Sequence, residues 1–294
     1  MPPETRSTFE SPLRLALPKG RMQEGVFTLM ADAGIQIRAG SRGYRPHLSL
    51  AGIDAKILKP QNVVEMLHAG SRDLGFAGAD WVRELQADVV EVLDTGLDRV
   101  RLVAAAPAAL VISGRLPARP IVVASEYERI AAQWIRERNL SASFVRSYGA
   151  TEVFPPEDAD CILDIAATGD TLRAQNLTVF EELMVSSTRL YASTPAYADP
   201  VRRAQIDRMV MLLASVLEAR QRVMVETNVS REAFDRVVAI LPCMRQPTVS
   251  ELHNGSGYAI KAAVPRERLP LLIPELKANG ATDIVVTEPS QIIP

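Results

Sequence analysis

Short apolar runs alternate with amphipathic stretches at the start of the chain. LRLAL (13–17), DAKILK (54–59) and DLGFAG (73–78) have the length and apolar content of buried strands. Between them, MQEGVFTLMADAG (22–34) and QNVVEMLHAG (61–70) place apolar residues at helical spacing. This alternation predicts α/β layers with mostly parallel sheets, and ligands bind such sheets beyond the carboxyl ends of the strands.

The same pattern continues further along the chain with one interruption. RVRLVAAA (99–106), IVVAS (121–125) and ASFVRS (142–147) are strand-like, and EYERIAAQWIRERN (126–139) is helix-like. The intervening GRLPARP (114–120), with its glycine and two prolines, is typical of a passage between two lobes.

We therefore expect a body of two lobes with a cleft between them. A second crossing between the lobes is predicted near residues 186–200. One lobe would comprise residues 1–106 and 188–220, and the other would comprise residues 107–187.

The pattern changes in the last part of the chain, residues 221–294. Strand-like and helix-like stretches follow there in the order βαββαβ, which is typical of the ferredoxin-like split unit. Ser230 is the expected N-cap of the first helix, HNGSG (253–257) the turn between the middle strands, and Gly280 the end of the second helix. We expect a separate small domain over this range.

Composition and charge exclude several classes of protein. Hydrophobic residues make up 47% and charged residues 23% of the 294 residues, and 33 basic against 35 acidic residues leave a net charge of −2. A chain of this charge has no overall field to attract nucleic acid or an anionic membrane. Cys161 and Cys243 lie in apolar surroundings, as buried free thiols do in a reducing compartment, and the three histidines lack metal-ligand spacing. We expect a soluble cytoplasmic protein without nucleic-acid or membrane partners.

The most informative segment for chemistry is DADCILDIAATGDTLRAQNL (158–177). In it, a strand-like run is followed at once by a small-residue turn and a helix-like stretch. Backbone N–H groups in such a turn bind anions, Gly169 permits close approach, and the hydroxyls of Thr168 and Thr171 add donors. The turn predicts a phosphate site, and the alternative is an ordinary capped turn after a strand.

Two acids accompany this turn. Asp164 lies inside the strand-like run, and Glu152 lies twelve residues upstream. Carboxylates accept hydrogen bonds from sugar hydroxyls, so the acids and the turn together suit a ribose 5-phosphate.

Basic residues follow other predicted strands. Lys19, Gly20 and Arg21 come directly after the first strand, where two cations suit a polyphosphate, although a solvated strand end has the same composition. Lys59 ends another strand and is expected to face the same cleft. Arg101 either faces this cleft or belongs to a structural ion pair.

Other candidate residues have ordinary structural explanations. Trp81 and Trp134 lie on helical patterns and are expected in the core. The acids of GADWVREL (78–85) either line the cleft or form a solvated helix face. The chain contains neither a P-loop motif nor G-x-G-x-x-G, so the usual ATPase and dinucleotide sites are not supported.

Several segments of the chain resemble the long form of ATP phosphoribosyltransferase, the first enzyme of histidine biosynthesis. These segments are LRLALPKGR, DLGFAGAD, the acid-and-turn signature of 152–177, and the terminal PTVSEL and LKANGATDIVV. The resemblance extends from about residue 13 to the end of the chain. It implies a two-lobed body like type II periplasmic binding proteins, followed by a ferredoxin-like regulatory domain.

The resemblance also implies roles for particular residues. Glu152, Asp164 and Lys19 would be the catalytic residues, with the two acids on the ribose hydroxyls. The 5-phosphate of phosphoribosyl pyrophosphate would lie on a turn formed by Ala167, Thr168, Gly169, Asp170 and Thr171. The residues expected to face the nucleotide and pyrophosphate are Gly20, Arg21, Lys59 and Arg101. The reaction implied is transfer of the phosphoribosyl group to N1 of the adenine of ATP, with Mg²⁺ held mainly by the substrates.

Regulation and assembly are implied in the same way. L-Histidine would inhibit by binding the terminal domain near Asn228, Met244 and Thr248. In the family an acid often stands where this chain has Asn228, so the contact with histidine is expected to be weaker here. The resemblance to the long form implies a homo-oligomer, a hexamer built from dimers.

Two alternative functions stay open at this point. KPQNVV (59–64) and Asp170 differ from the residues usual in the family, and these differences favour a non-catalytic ligand-binding or regulatory paralogue. A phosphoribosyltransferase for another base is the second alternative, because the acids and the turn recognise the ribose phosphate and not the acceptor.

Overall fold

The structure, a computed structural model, describes residues 11–38 and 43–294. It divides into two compact units. The described parts of Met1–Thr28 and Gln36–Ile206 form the first unit, and Leu29–Ile35 with Asp207–Pro294 form the second.

The elements of the chain up to residue 107 alternate largely as predicted. In chain order they are β1 (Leu13–Pro18), α1 (Arg21–Asp32), β2 (Ile37–Arg38), β3 (His47–Leu48), β4 (Ile53–Leu58), α2 (Pro60–His68), β5 (Leu74–Gly78), α3 (Ala79–Leu85) and β6 (Val89–Pro107). The strand predicted over 99–106 is confirmed, but it is the second half of the much longer β6.

A second series of elements completes the main sheet and leads out of it. In chain order they are β7 (Ile121–Ser125), α4 (Glu128–Glu137), β8 (Ala142–Arg146), β9 (Cys161–Ala166), α5 (Asp170–Ala174), β10 (Leu177–Ser193), α6 (Thr194–Ala198) and α7 (Pro200–Gln221). The 17-residue β10 was not predicted. Its charged and hydroxyl residues interrupt the apolar run that marks the other strands.

Eight strands of the first unit form one mixed sheet in the order β4-β1-β5-β10-β6-β9-β7-β8. β4, β1 and β5 are parallel to one another, as are β9, β7 and β8. The long strands β10 and β6 lie between these two groups and pair antiparallel to each other. β10 also pairs antiparallel to β5, and β6 pairs antiparallel to β9. The two groups therefore run in opposite directions.

The pairing register places the carboxyl ends of β5 and β9, one from each parallel group, near the middle of the long strands β10 and β6. β5 ends at Gly78 opposite Thr188 of β10, whereas β9 ends at Ala166 opposite Arg101 of β6. Arg101 in turn pairs with Val185, only three residues before Thr188 on β10. The two groups therefore face each other across the middle of the long strands, which is the two-lobed arrangement expected. The lobe boundaries at 106/107 and 187/188 stay predictions, and both fall within these long strands.

The core of the first unit confirms the tryptophan predictions and corrects those for two acids. Trp81 and Trp134 are buried. Asp80 and Glu84 of α3 are also buried, so the solvated helix face predicted for 78–85 is wrong. Their partners explain the difference: Asp80 accepts hydrogen bonds from Tyr127 and from a serine of β10, and Glu84 accepts two from the backbone at the start of α4.

The second unit contains the predicted βαββαβ series. The elements are β11 (Arg222–Ser230), α8 (Phe234–Ile240), β12 (Thr248–Glu251), β13 (Gly257–Pro265), α9 (Leu269–Ala278) and β14 (Ala281–Thr287). The four strands form an antiparallel sheet in the order β12-β13-β11-β14. Valines of β11, including Val223 and Val225, pack with Val237 of α8 and Leu276 of α9.

The helix ends of the second unit confirm one local prediction and correct another. Gly280 follows α9 with φ of +99°, as expected for a residue that ends a helix. Ser230 is not the N-cap, because α8 begins at Phe234 and the Ser230 hydroxyl accepts from the Ala233 N–H in the preceding turn. Both cysteines are free, but only Cys161 is buried, and Cys243 is half-buried against the core of the second unit. None of the helices in the described ranges is long and apolar enough to cross a bilayer.

Candidate active site

A cavity of about 210 Å³ lies at the carboxyl end of β9. Its lining consists of Glu152, Asp164 and the continuous stretch from Ile165 to Leu172. The structure thus brings both predicted acids and the whole predicted turn, Ala167–Thr171, to one cavity.

The turn has the backbone conformation that a glycine allows. Gly169 has φ of +79° and comes directly before α5, and a Cβ there would lie 3.3 Å from the Nη1 atom of Arg173. Thr168 donates to the carboxylate of Asp170, which also pairs with Arg173. The hydroxyl and the guanidinium lower the pKa of Asp170. Arg173 therefore offsets the negative charge that Asp170 places beside the turn.

The two acids of the cavity have different surroundings. Asp164 is half-buried, and its Oδ1 atom accepts the Ile165 N–H at 2.7 Å. Burial raises the pKa of Asp164 to about 6, and the carboxylates of Glu152 and Glu126 act in the same direction. Glu152 lies on a short 3₁₀ turn, Thr151–Val153, and is also half-buried.

Glu126 is a third acid near this cavity, and sequence reasoning missed it. It is the first residue after β7, whose last residue Ser125 pairs with Leu163 of β9. Burial raises the pKa of Glu126, whereas Arg146 and Lys59 oppose this shift. Its position directly after an apolar run was the available signal, because residues at the carboxyl ends of parallel strands commonly contact ligands.

The predicted basic residues Lys19 and Lys59 lie at neighbouring strand ends in the other parallel group, β4-β1-β5. The Lys19 N–H donates to the Leu58 carbonyl at 2.8 Å, so Lys19 after β1 and Lys59 after β4 are adjacent in the backbone. Lys19 and Gly20 line a wide, shallow depression of about 550 Å³. The Lys19 ammonium lies 5.1 Å from the centre of the Tyr44 ring.

Arg21 and Arg101 are partly engaged within the protein. Arg21 donates to the Asp98 carbonyl at 3.5 Å. Arg101 pairs with Glu182 of β10 at 3.6 Å, which is the ion-pair alternative considered for it. Its backbone nevertheless pairs with Ala166, immediately before the turn.

The three residues predicted to bind histidine lie on separate elements of the second unit. Asn228 of β11 donates through its side-chain amide to Asp283 at 3.1 Å. Thr248 begins β12, which β13 separates from β11. Met244 lies half-buried in the loop between α8 and β12.

Comparison with known proteins gives two matching family models. The model described as ATP phosphoribosyltransferase matches residues 59–215, and the model described as HisG, C-terminal domain matches residues 219–290. Together they extend across the cavity and the terminal domain.

Curated relatives match over almost the whole chain. The ATP phosphoribosyltransferase of Pelotomaculum thermopropionicum is 36% identical over 287 residues, which is 96% of this chain and 99% of the relative. That of Desulforudis audaxviator is 35% identical with the same coverage. Among solved structures, a chain of the ATP phosphoribosyl transferase (HisG:HisZ) complex from Thermotoga maritima is similar with a TM-score of 0.63 and 25% identity, covering 70% of this chain and 98% of that chain.

The fold, the cavity and these matches define a phosphoribosyl-transferring enzyme with a separate C-terminal domain. The chain belongs to the ATP phosphoribosyltransferase family. It is a transferase that acts in the first step of histidine biosynthesis, and this activity replaces both alternatives considered from the sequence.

Proposed function

We propose that the cavity at the end of β9 binds the phosphoribosyl group of phosphoribosyl pyrophosphate. The observation that carries the proposal is the shared lining: Glu152, Asp164 and the turn Ala167–Thr171 surround one space of about 210 Å³. The acids are acceptors for the ribose hydroxyls, whereas the turn offers backbone N–H groups and the Thr171 hydroxyl as donors to the 5-phosphate.

The proposed roles follow from the charge that develops in the reaction. The bond from the anomeric carbon to pyrophosphate breaks, and a bond to N1 of the adenine forms. The anomeric carbon gains oxocarbenium character, which Glu152 and Asp164 stabilise while they hold the ribose. N1 is already a competent nucleophile, so catalysis rests on positioning and charge stabilisation rather than on a strong base.

Pyrophosphate and the triphosphate of ATP are assigned to the opposite group of strands. Lys19, Gly20, Arg21 and Lys59 follow β1 and β4 there, and two of the cations, Lys19 and Lys59, are backbone neighbours. Arg101 would join them only by leaving Glu182, so we assign it a smaller share of the binding.

Mg²⁺ is proposed to arrive with the substrates and to be held mainly by their phosphate oxygens. Within residues 11–38 and 43–294, no group of three or more His, Cys, Asp or Glu side chains is placed to hold a metal ion. The donor set of the cavity, two carboxylates, is compatible with an ion whose other ligands come from substrate. When bound, the ion neutralises charge on the departing pyrophosphate.

Substitution of the acids tests the proposed cavity. Asp164→Asn and Glu152→Gln are each expected to lower kcat/KM by about 100-fold, because each removes a charge that stabilises the transition state. Gly169→Ala is expected to raise KM for phosphoribosyl pyrophosphate about tenfold, since a non-glycine residue is strained in the left-handed conformation.

Matched variants separate these effects from general damage. Glu157→Gln changes an exposed acid of the same segment, and Gly114→Ala changes a glycine with φ of +75° and open space around it. Both should keep wild-type kinetics. Near-normal kcat/KM in Asp164→Asn and Glu152→Gln would show that the cavity does not hold the reacting sugar.

Regulation by L-histidine is proposed for the C-terminal domain, near Asn228, Met244 and Thr248. The support is the match of the C-terminal family model together with the placement of Asp283 beside Asn228. In the family an acid often stands at position 228, where this chain has Asn228. Here the neighbouring Asp283 of β14 supplies a carboxylate instead, and a carboxylate can pair with the ammonium group of histidine.

Assembly as a hexamer built from dimers is proposed as well. The similar chain from Thermotoga maritima belongs to a complex, and symmetric homo-oligomers are common among enzymes. Light scattering should give a particle several times heavier than the 32.1 kDa chain, and a 32.1 kDa particle at every concentration would contradict the proposal. We also place the enzyme in the cytoplasm, where free thiols such as those of Cys161 and Cys243 are usual.

A further inference from the structure

Glu126 lies next to the acids of the proposed phosphoribosyl cavity. Ser125 pairs with Leu163, so Glu126 continues β7 at the level of Asp164 on β9. Neighbouring strands are about 4.8 Å apart, which puts the two residues side by side. The Glu126 Oε1 atom lies 4.0 Å from the position of a Cβ built on Gly149, in the loop that leads to Glu152.

The Glu126 carboxylate is half-buried and lacks a fixed partner. Within the described parts of the chain it accepts no hydrogen bond and forms no ion pair. By contrast, Glu128 on the same loop and helix pairs with Arg146 at 3.3 Å. The Glu126 oxygens keep access to solvent, so a donor group of a ligand can reach them without first breaking a contact within the protein.

The substrates offer few donors that this carboxylate could accept. Phosphoribosyl pyrophosphate has two free ribose hydroxyls, which Glu152 and Asp164 are proposed to hold, and its ionised phosphates are acceptors. Next to the reacting N1, ATP carries one donor, the exocyclic 6-amino group. The 6-amino group is bonded to the ring carbon next to N1, so an acid beside the anomeric carbon is also beside this amino group when N1 attacks.

We propose that Glu126 accepts a hydrogen bond from the 6-amino group of the acceptor adenine and stabilises the positive charge of the ring after N1 attacks. N1 gives its lone pair to the anomeric carbon, and the bond to pyrophosphate breaks with its electron pair on the leaving oxygen. The adenine ring becomes a cation, and its amino protons stay in place, one of them shared with Glu126. This inference rests on the proposed function of the neighbouring cavity.

Kinetics of Glu126→Gln test this contact. The glutamine keeps the size and a carbonyl acceptor but removes the charge. Because hydrogen bonds to charged groups are strong, kcat/KM for ATP should fall about 10- to 100-fold. KM for phosphoribosyl pyrophosphate should change by less than about twofold, since the ribose acids are intact. Glu128→Gln, an exposed acid two residues away, should behave as wild type.

An acceptor without the amino group distinguishes the contact from a general charge effect. Purine riboside 5′-triphosphate keeps N1 but lacks the 6-amino group. With it, the ratio of wild-type to Glu126→Gln kcat/KM should shrink to less than about threefold, because the charged hydrogen bond is missing in both enzymes.

The outcomes keep the two proposals separate. An unchanged kcat/KM for ATP in Glu126→Gln, an effect on phosphoribosyl pyrophosphate alone, or an equal ratio with both acceptors would each overturn the role of Glu126. If Asp164→Asn loses activity while any of these results is found, the proposal for the phosphoribosyl cavity still holds. Retained activity in Asp164→Asn would instead overturn the cavity itself.

Discussion

Burial and the nearby carboxylates of Glu152 and Glu126 raise the pKa of Asp164 to about 6. An exposed aspartate in the unfolded chain titrates near 3.9. The folded protein therefore holds a proton on Asp164 at pH values where the unfolded chain has lost it, so the stability contributed by this residue falls as pH rises from about 4 to 6. At neutral pH the ionised group is therefore destabilising.

Asp164→Asn should accordingly make the protein more stable and less active. The asparagine keeps the oxygen that accepts the Ile165 N–H but carries no charge. We expect the free energy of unfolding at pH 7.5 to rise by about 2 kcal/mol, measured by denaturant titration. The gain should shrink as pH is lowered toward 4, and a variant that is less stable than wild type at pH 7.5 would contradict this account.

At the scale of elements, α3 and α4 are joined by buried polar contacts. Both oxygens of Glu84 accept backbone N–H groups, from Arg129 and Ile130, at 3.0 Å each. The first N–H groups of a helix have no acceptor within it, so this carboxylate from another helix satisfies two of them. Tyr127, just before α4, donates to Asp80 at 2.6 Å, and its ring centre lies 4.8 Å from that of Trp81, with the ring planes tilted by 33°.

Glu84→Gln should weaken the start of α4. The amide has one acceptor oxygen and no charge, so one of the two buried N–H groups loses its partner. A loss of about 1–3 kcal/mol in the free energy of unfolding is expected. Glu137→Gln, at the exposed carboxyl end of the same helix, is the control and should change stability by less than about 0.5 kcal/mol. Equal effects of the two substitutions would count against the capping role.

The residues whose positions were predicted correctly are those whose surroundings depend on neighbours close in the chain. The strand, turn and helix at 161–174 follow from an apolar run, a glycine and a short polar stretch, and Asp164 belongs to the same segment. The ferredoxin-like order was equally accessible, because each of its elements has its own pattern.

The residues that were misjudged depend on pairing between distant segments. Asp80 and Glu84 have the spacing of an exposed helix face, and their partners lie more than 40 residues away. Glu126 gains its position from the pairing of β7 with β9. The sequence contains these residues, but only the sheet order shows what they face.

For the whole molecule, histidine inhibition requires the C-terminal domain to bind its ligand and to favour an inactive state. We expect calorimetry to detect L-histidine binding at millimolar or lower concentration, with a parallel loss of activity. Asp283→Asn should weaken both effects, since it removes the carboxylate proposed to meet the ammonium group.

Asn228→Asp is a less direct probe than the family pattern suggests. It would put a second carboxylate beside Asp283, where Asn228 now donates at 3.1 Å. D-Histidine is the control ligand. Absence of both heat and inhibition with L-histidine would mean that the domain is structural only.

The sheet order has a consequence for the growing chain on the ribosome. β10 is the last of the eight strands to be synthesised, yet it lies between β5 and β6. Until residue 193 has been synthesised, β5 and β6 each have an unpaired edge where β10 will lie. Unpaired strand edges can pair with other chains. The enzyme therefore cannot complete either half of its cleft in advance, and the nascent protein is most exposed to aggregation just before its central strand appears.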